Sequence, residues 1–283
     1  MLLGYNTNGF AHHDVLDAIE VLAEFGYQSV ALTLDHGRLN PFEPDFARQL
    51  ELVRAALERH GLQSVVETGA RYLLDPREKH EPTLVSADAE GRARRVDFYK
   101  RALDAAISLS SQCVSLWSGV LRDGAPRSVA MARLVSALEE VLDYAASRPA
   151  DAPGIRIAFE PEPGMFIDTM PAFEELAGRI ASPQFALTLD VGHLHCQGEM
   201  PLSPHLARWG SRLANVHLED MRHGVHEHLM FGEGEMDFQP IIEALAKSAY
   251  PGGVHVELSR HSHMAPEAAR AAYAFLSPLF AQP

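Results

Sequence analysis

Cysteine is nearly missing from this chain, with two in 283 residues, Cys113 and Cys196. Two thiols build no disulfide framework and suit a reducing compartment, so a cytoplasmic location is expected. Basic charge is scarce as well. Lys and Arg number 24 against 38 Asp and Glu, a formal net charge of −14. That balance argues against a nucleic-acid partner, because a phosphate backbone is gripped by Lys and Arg. No apolar run is long enough to cross a bilayer, so no membrane partner is expected. The opening Met1-Leu-Leu-Gly-Tyr5 lacks the basic and apolar regions of a secretory signal. Linkers, low-complexity tracts and breaks in composition are missing too, which leaves one domain over 1–283. At 47% hydrophobic and 22% charged residues, a chain of this length can bury one large α/β core.

Short apolar runs alternate with amphipathic stretches from end to end. The strand-like runs are Leu2–Thr7, Ser29–Asp35, Ser64–Thr68, Cys113–Trp117, Arg156–Glu160, Ala186–Asp190, Ala214–Leu218 and Gly253–Leu258. Helical stretches include His13–Phe25, Pro44–Arg59, Glu90–Ser108, Val129–Ser147, Pro171–Arg179 and Phe238–Ser248. Val15, Ile19, Leu22 and Ala23 share one helical face, as do Leu134, Leu138, Val141 and Leu142. Gly26 and Gly61 read as helix stops and Asp237 as an N-cap. Eight strands, each followed by a helix, predict a (β/α)₈ TIM barrel of class α/β. Two stretches, Gly69 to Ser86 and His223 to Met236, read as irregular insertions. Each is either a lid or a solvated excursion.

Four polar residues end four successive strands: Glu160, Asp190, His217 and Glu257. A closed barrel brings strand ends to one mouth. Alternation puts Ala158 with Glu160, Asn215 with His217 and His255 with Glu257, leaving apolar neighbours for the outer face. One such residue alone is usually a satisfied structural group. Three carboxylates and an imidazole together would repel as bare charges but form a cage for one divalent metal. Oxygen-rich ligation with one nitrogen suits Mn²⁺, Mg²⁺, Co²⁺ or Zn²⁺.

Glu160, the Asp190-Val-Gly-His193 segment, the His217-Leu-Glu-Asp220 segment and Glu257 resemble the xylose isomerase-like TIM barrels. That superfamily includes keto-sugar 3-epimerases, sugar isomerases, inosose dehydratases and the endonuclease IV branch. The likeness follows strand order along the whole chain, but its short motifs name no substrate. It implies that Glu160, Asp190, His217 and Glu257 bind the metal, that Glu160 and Glu257 shuttle a proton, and that His193 contacts substrate. A metal chelating a carbonyl and its neighbouring hydroxyl acidifies the carbon between them. One glutamate then removes a proton to leave a metal-stabilised enediolate, and the other returns it on the opposite face. Return to the neighbouring carbon gives isomerisation instead. The expected function is therefore a metal-dependent isomerase or epimerase of a sugar, keto-sugar or polyol. Two other readings stay open: a lyase or dehydratase acting on a 3-keto sugar or inosose, and a non-catalytic metabolite-binding barrel. Opposed glutamates count against the last, since binding alone needs no bases. The exposed helices of such barrels often pair, so a homo-oligomer is within expectation.

The segment His226-Glu-His228-Leu-Met-Phe-Gly232-Glu-Gly234 is similar to the endonuclease IV loop that carries an Asp-x-His pair to an additional zinc. Here His226 stands at the Asp position, His228 at the His position, and His193 matches the third ligand. Three imidazoles would favour a second Zn²⁺, unless His226 and His228 face solvent or grip a hydroxyl. The other nuclease zinc histidines appear as Glu67 and as Trp117 or Ser118, which counts against DNA repair. Asn6, Asp35, His36, Glu67 and Trp117 end the first four strands and either line the sugar pocket, Trp117 by stacking on a ring face, or play a structural role. Arg222 is expected either to orient a substrate oxygen or to form a surface salt bridge. Glu162 and Glu219 rival the assigned glutamates but are expected to lie higher in the mouth. No strong Gly-rich or Arg-rich phosphate cradle is evident, which favours an unphosphorylated substrate.

Overall fold

The computed structural model describes residues 1–37, 39–148 and 154–281. Gln282 and Pro283, the end of the expected 1–283 unit, lie outside them. Eight parallel strands close into a barrel: β1 Leu2–Asn6, β2 Ser29–Thr33, β3 Gln63–Glu67, β4 Cys113–Leu116, β5 Arg156–Phe159, β6 Phe185–Asp190, β7 Leu213–Leu218 and β10 Gly253–Val256. Their order around the barrel is β1-β10-β7-β6-β5-β4-β3-β2. Apart from Leu2 at the start of β1, the strands bury their apolar residues on both sides, as parallel strands covered by helices must. The helices are α1 Val15–Phe25, α2 Phe46–His60, α3 Ala89–Ser108, α4 Arg127–Ala146, α5 Met170–Ala177, α6 Val191–Cys196, α7 Ser203–Trp209, α8 Phe238–Lys247 and α9 Ala265–Phe280. The TIM barrel expected from the alternation is therefore what forms. No helix is long and apolar enough to cross a membrane among the described residues.

Local signals explain the boundaries. Asp14 caps α1 through Leu16 N and Asp237 caps α8 through Gln239 N. Gly26 and Gly61 end α1 and α2 with φ of 99° and 66°, a region costly for any residue with a Cβ. Several expected strands run one or two residues too far. β1 stops at Asn6, β2 at Thr33 and β10 at Val256, because the chain leaves the ladder where polar side chains turn into the mouth. Glu160 and Glu257 accordingly stand one residue past β5 and β10. The Gly69–Ser86 stretch is irregular, as expected. The stretch from His223 to Met236 is not wholly so. It contains β9 Val225–Leu229, paired antiparallel with β8 Asp220–Arg222 across a turn in which Gly224 takes φ 71°. Asp220 holds this hairpin's return, accepting from the backbone N–H groups of Met221, Gly232, Gly234 and Met236.

Two layers fill the barrel. Ala31, Val65, Cys113, Ala158, Ala186 and Ala214 form an apolar plug of small side chains. A buried polar set lies between the strands as well: Ser29 Oγ is 2.9 Å from His255 Nε2, and His255 Nδ1 is 2.8 Å from Asn215 Oδ1. Burial pushes the His255 pKa down to about 3, so the ring is neutral. It donates Nδ1–H to Asn215 and accepts from the Ser29 hydroxyl. A full imidazole fits inside a strand layer only because its neighbours are small. A Cβ on Gly4 would lie 2.3 Å from His255 Cδ2, and one on Gly253 would lie 2.4 Å from His255 Cε1. Gly4→Ala is therefore expected to cost about 1–3 kcal/mol through overpacking. Urea unfolding checks this, and an unchanged midpoint would show that the His255 layer is loose.

Candidate active site

The strand ends form the floor of a cavity of about 310 Å³, and the loops after β1, β3, β5 and β10 form its walls. His217, on β7, occupies the centre of the floor and is buried. Its Nδ1 lies 3.0 Å from Glu160 Oε1, 2.9 Å from Glu257 Oε2 and 3.8 Å from Asp190 Oδ2. Its Nε2 lies 2.9 Å from Glu67 Oε1. The four strand-end residues are thus brought together, with one ligand atom from each within 4.8 Å of the others. Asp190 Oδ1 accepts from His193 N at the start of α6. Its Oδ2 is buried without any hydrogen-bond partner. Asn8 donates to Glu257 Oε1 at 2.8 Å and fixes that carboxylate.

Glu67, expected at the pocket wall, lines the cavity but is also tied to the imidazole. Its Oε1 accepts from Asn215 Nδ2 at 2.8 Å as well as meeting His217. Asn215 and His255, placed beforehand only by alternation, supply this support. The amide of Asn215 has its orientation set, because its Oδ1 is taken by His255 and its Nδ2 is left for Glu67. Asn8 and Asn215 were not expected to matter. Asparagines are common in turns and strand ends, so neither carries a pattern.

Charge in this buried set is unequal. Burial raises the Glu160 pKa to about 8, against the pull of His217. Burial also opposes charge on His217, but Glu160, Glu67 and Glu257 outweigh it and hold the imidazolium well above its usual range. At Glu257 burial is outweighed by His217, with help from His228 and His193, and the carboxyl is held well below the ordinary range. Asp190 is likewise lowered, burial being overcome by His193, His228 and His217.

A second cluster adjoins the first. His193 Nε2 is 3.1 Å and His228 Nε2 3.3 Å from His226 Nε2. His193 Nδ1 faces the Pro161 carbonyl at 3.2 Å, and His228 Nδ1 faces the Glu257 carbonyl at 3.1 Å. A carbonyl only accepts, so each ring carries its proton on Nδ1 and turns the lone pair of Nε2 toward His226. Burial lowers His193 to about 4 and lowers His226 too. Asp190 Oδ2 lies between the clusters, 3.5 Å from His193 Nε2.

The remaining expected residues divide. Asn6 and Trp117 line the cavity, with Asp35. Trp117 packs against His80 at 5.1 Å between ring centroids. His36 does not line it; β2 ends early and leaves this residue on an exposed turn. Arg222 is also outside the cavity, exposed, and donates to the Glu233 carbonyl across the hairpin. Glu162 lines the cavity beside His193 and His226. Glu219 does not rise into the mouth. It is fully buried and packs so close to α6 that a Cβ on Gly192 would sit 1.8 Å from its Oε1. Burial, then Asp190 and Glu257, raise its pKa well above the usual value.

A profile of the xylose isomerase-like TIM barrel family matches residues 19–279. An L-ribulose-5-phosphate 3-epimerase of Shigella flexneri is 24% identical over 262 residues, covering 86% of this chain and 81% of that protein. An inosose dehydratase of Lacticaseibacillus casei is 29% identical over 142 residues, 44% of this chain and 46% of that protein. That second match spans less than half of the relative's length. The solved structure of the IolI protein with a zinc atom superposes with a TM-score of 0.78 at 17% identity, covering 100% of this chain and 99% of that one.

The unequal protonation has a measurable consequence in protein kept free of metal by a chelator. Glu160 and His217 hold protons that the unfolded chain releases from about 4.5 and 6.5 upward. Their contribution is present below those values and is lost as pH rises through the folded pKa. The neutral His193 and His255 act oppositely, but only up to about pH 6.5. The melting temperature of chelated protein should therefore fall between about pH 6.5 and 9. A rise across that interval would mean that the floor is already unprotonated.

Proposed function

Because the chain belongs to the xylose isomerase-like TIM barrel family, we propose that it is a metal-dependent isomerase or epimerase of a sugar, keto-sugar or polyol, acting by proton transfer at Glu160 and Glu257. It is an enzyme of the sugar isomerase/epimerase family; the metal, the reaction and the residue roles are our reading. The observation that carries this reading is Asp190 Oδ2, a buried carboxylate oxygen without a partner among three carboxylates and an imidazole. Native structures rarely leave such an atom unsatisfied, and a cation would satisfy it. Glu160, Asp190, His217 through Nδ1 and Glu257 would hold the ion, while Glu67, itself held by Asn215, secures the far side of the imidazole. This donor set suits Mn²⁺, Mg²⁺, Co²⁺ or Zn²⁺. The zinc named with the IolI structure supports a metal in a barrel of this fold. A divalent cation there supplies polarisation of a substrate carbonyl and acidifies the adjoining C–H.

The chain's own groups do the rest. Glu257, fixed by Asn8, and Glu160 are the pair that moves the proton: one takes it from substrate carbon and the other delivers one back. Delivery to the opposite face inverts the centre, and delivery to the next carbon exchanges aldose for ketose. Trp117 offers a ring face to the sugar, and Asn6 and Glu162 offer polar edges. A small sugar or polyol is the expected partner. The likeness to inosose dehydratase favours one second reading, a lyase, in which a leaving group beside the carbanion departs before the proton returns.

The three imidazoles His193, His226 and His228 suit a second, weaker Zn²⁺ position, since their Nε2 atoms converge, His226 able to turn its proton to Nδ1, and no carboxylate of their own set offsets the charge. It should empty as pH falls through the histidine range, because protonated imidazoles do not ligate. Anomalous scattering from zinc-soaked crystals should give two peaks at neutral pH and lose the one at the histidines near pH 5. A single peak at both pH values would leave these histidines to the substrate.

Three variants test the first site. Asp190→Ala should fold but lose stoichiometric metal by elemental analysis; full retention would refute the ligand set. Glu160→Gln and Glu257→Gln should each keep an oxygen for the metal and lower turnover by about two to four decades. Near-normal turnover in both would remove the glutamates from proton transfer.

A further inference from the structure

Three cations stand at the wall of the cavity, and the proposed chemistry uses none of them. Arg71 and Lys79 come from the irregular stretch after β3, and Arg260 from the 3₁₀ helix Ser259–Met264 after β10. Arg260 pairs with Glu227 at 2.6 Å. Neither Arg71 nor Lys79 forms an ion pair among the described residues. Their closeness is visible in Lys79, whose ammonium is pushed down by burial and then by Arg71, with a further push from Arg260 against the pull of Glu162. Like charges gathered at one wall repel, and among the described residues neither Arg71 nor Lys79 has a paired carboxylate, Glu162 pulling on Lys79 only from beyond ion-pair distance. That is an unusual use of basic residues in a chain with only 24 of them and a net charge of −14.

The wall is also held in place. Arg95 is completely buried in α3 and donates to the carbonyls of Pro82 at 2.7 Å and His80 at 2.6 Å. Its guanidinium lies 4.9 Å from the Trp117 ring centroid. His80 N in turn reaches the Arg71 carbonyl at 2.5 Å. The segment between Arg71 and Pro82 is therefore braced from beneath, so its two cations face the cavity from fixed backbone and not from a free arm.

We propose that this wall is a subsite for an anionic group, phosphate or carboxylate, carried on the sugar away from the carbons at the floor. Arg71 offers a planar fork suited to two oxygens of such a group, and Lys79 offers a point charge beside it. The subsite rests on the sugar-isomerase reading and deepens it by naming the substrate class. It also reverses the expectation of an unphosphorylated substrate. That expectation came from the missing Gly-rich or Arg-rich motif, whereas these cations are scattered over the sequence and meet only through the barrel.

Calorimetric titration of the metal-loaded protein with matched ketoses tests the inference: L-ribulose 5-phosphate against L-ribulose, and D-fructuronate against D-fructose. At least one anionic member should bind about tenfold or more tightly than its neutral partner, and the pair that shows it identifies the group. In Arg71→Gln/Lys79→Gln that ratio should fall below about threefold, with neutral-ketose affinity and metal content unchanged. Equal binding of charged and neutral sugars by the unaltered protein, no binding by either anionic sugar, or a preference that survives the double substitution would overturn the subsite. Failure of the catalytic reading registers separately. Substrate C–H would then not exchange with deuterated solvent while the affinity ratio persisted.

Discussion

Four carboxylates and one imidazole are crowded together at the largely buried barrel floor, and the rest of the site depends on how that charge is held. His217 is the pivot. It meets Glu160 and Glu257 on one nitrogen and Glu67 on the other, each at 2.9–3.0 Å. A buried charge without partners is costly, so protons and hydrogen bonds must compensate wherever a cation does not. The metal-free floor does this with a proton on Glu160 and a charged His217, and leaves Asp190 Oδ2 with nothing. The same groups, deprotonated, make a cation site. Loading the site should thus exchange protons for metal, as ligand chemistry generally requires.

The pivot is held from below by a chain of neutral polar groups. Ser29, His255 and Asn215 pass orientation up to Glu67 and so to the far nitrogen of His217. The chain spans β2, β10, β7 and β3, which ties the geometry of the site to closure of the barrel. Gly4 and Gly253 leave the room that His255 needs. Above the floor, Arg95 does comparable work for the wall, fixing His80 and Pro82 beneath three aromatic rings.

Much of this was legible in the sequence because strand-end residues in a parallel barrel have nowhere to go but the mouth. Glu160, Asp190, His217 and Glu257 needed only strand order and the alternation of side chains to be placed together. His36 was misplaced because β2 was read two residues too long, whereas Arg222 lies outside the cavity because it sits on β8, a strand the sequence did not reveal. The β8–β9 hairpin escaped notice because its strands are three and five residues long and half-exposed, with little apolar alternation. Glu219 was misjudged for a different reason. Sequence distance from His217 suggested height in the mouth, but the chain turns there and tucks the carboxyl behind Gly192. The meeting of Arg71, Lys79 and Arg260 could not be read at all, since it depends on two loops separated by almost the whole chain.

The central claim is that the floor, once it holds a divalent metal, moves a proton on and off a sugar carbon. Proton NMR of a ketose incubated with the enzyme in deuterated water tests it most directly, run with Mn²⁺-loaded protein, stripped of paramagnetic ion before the spectrum, and with chelated protein. The account predicts loss of the proton signal on the carbon beside the carbonyl with loaded enzyme alone, and the same loss once metal is restored to the chelated protein. Conversion of the ketose without deuterium uptake, or uptake that ignores the chelator, would contradict it.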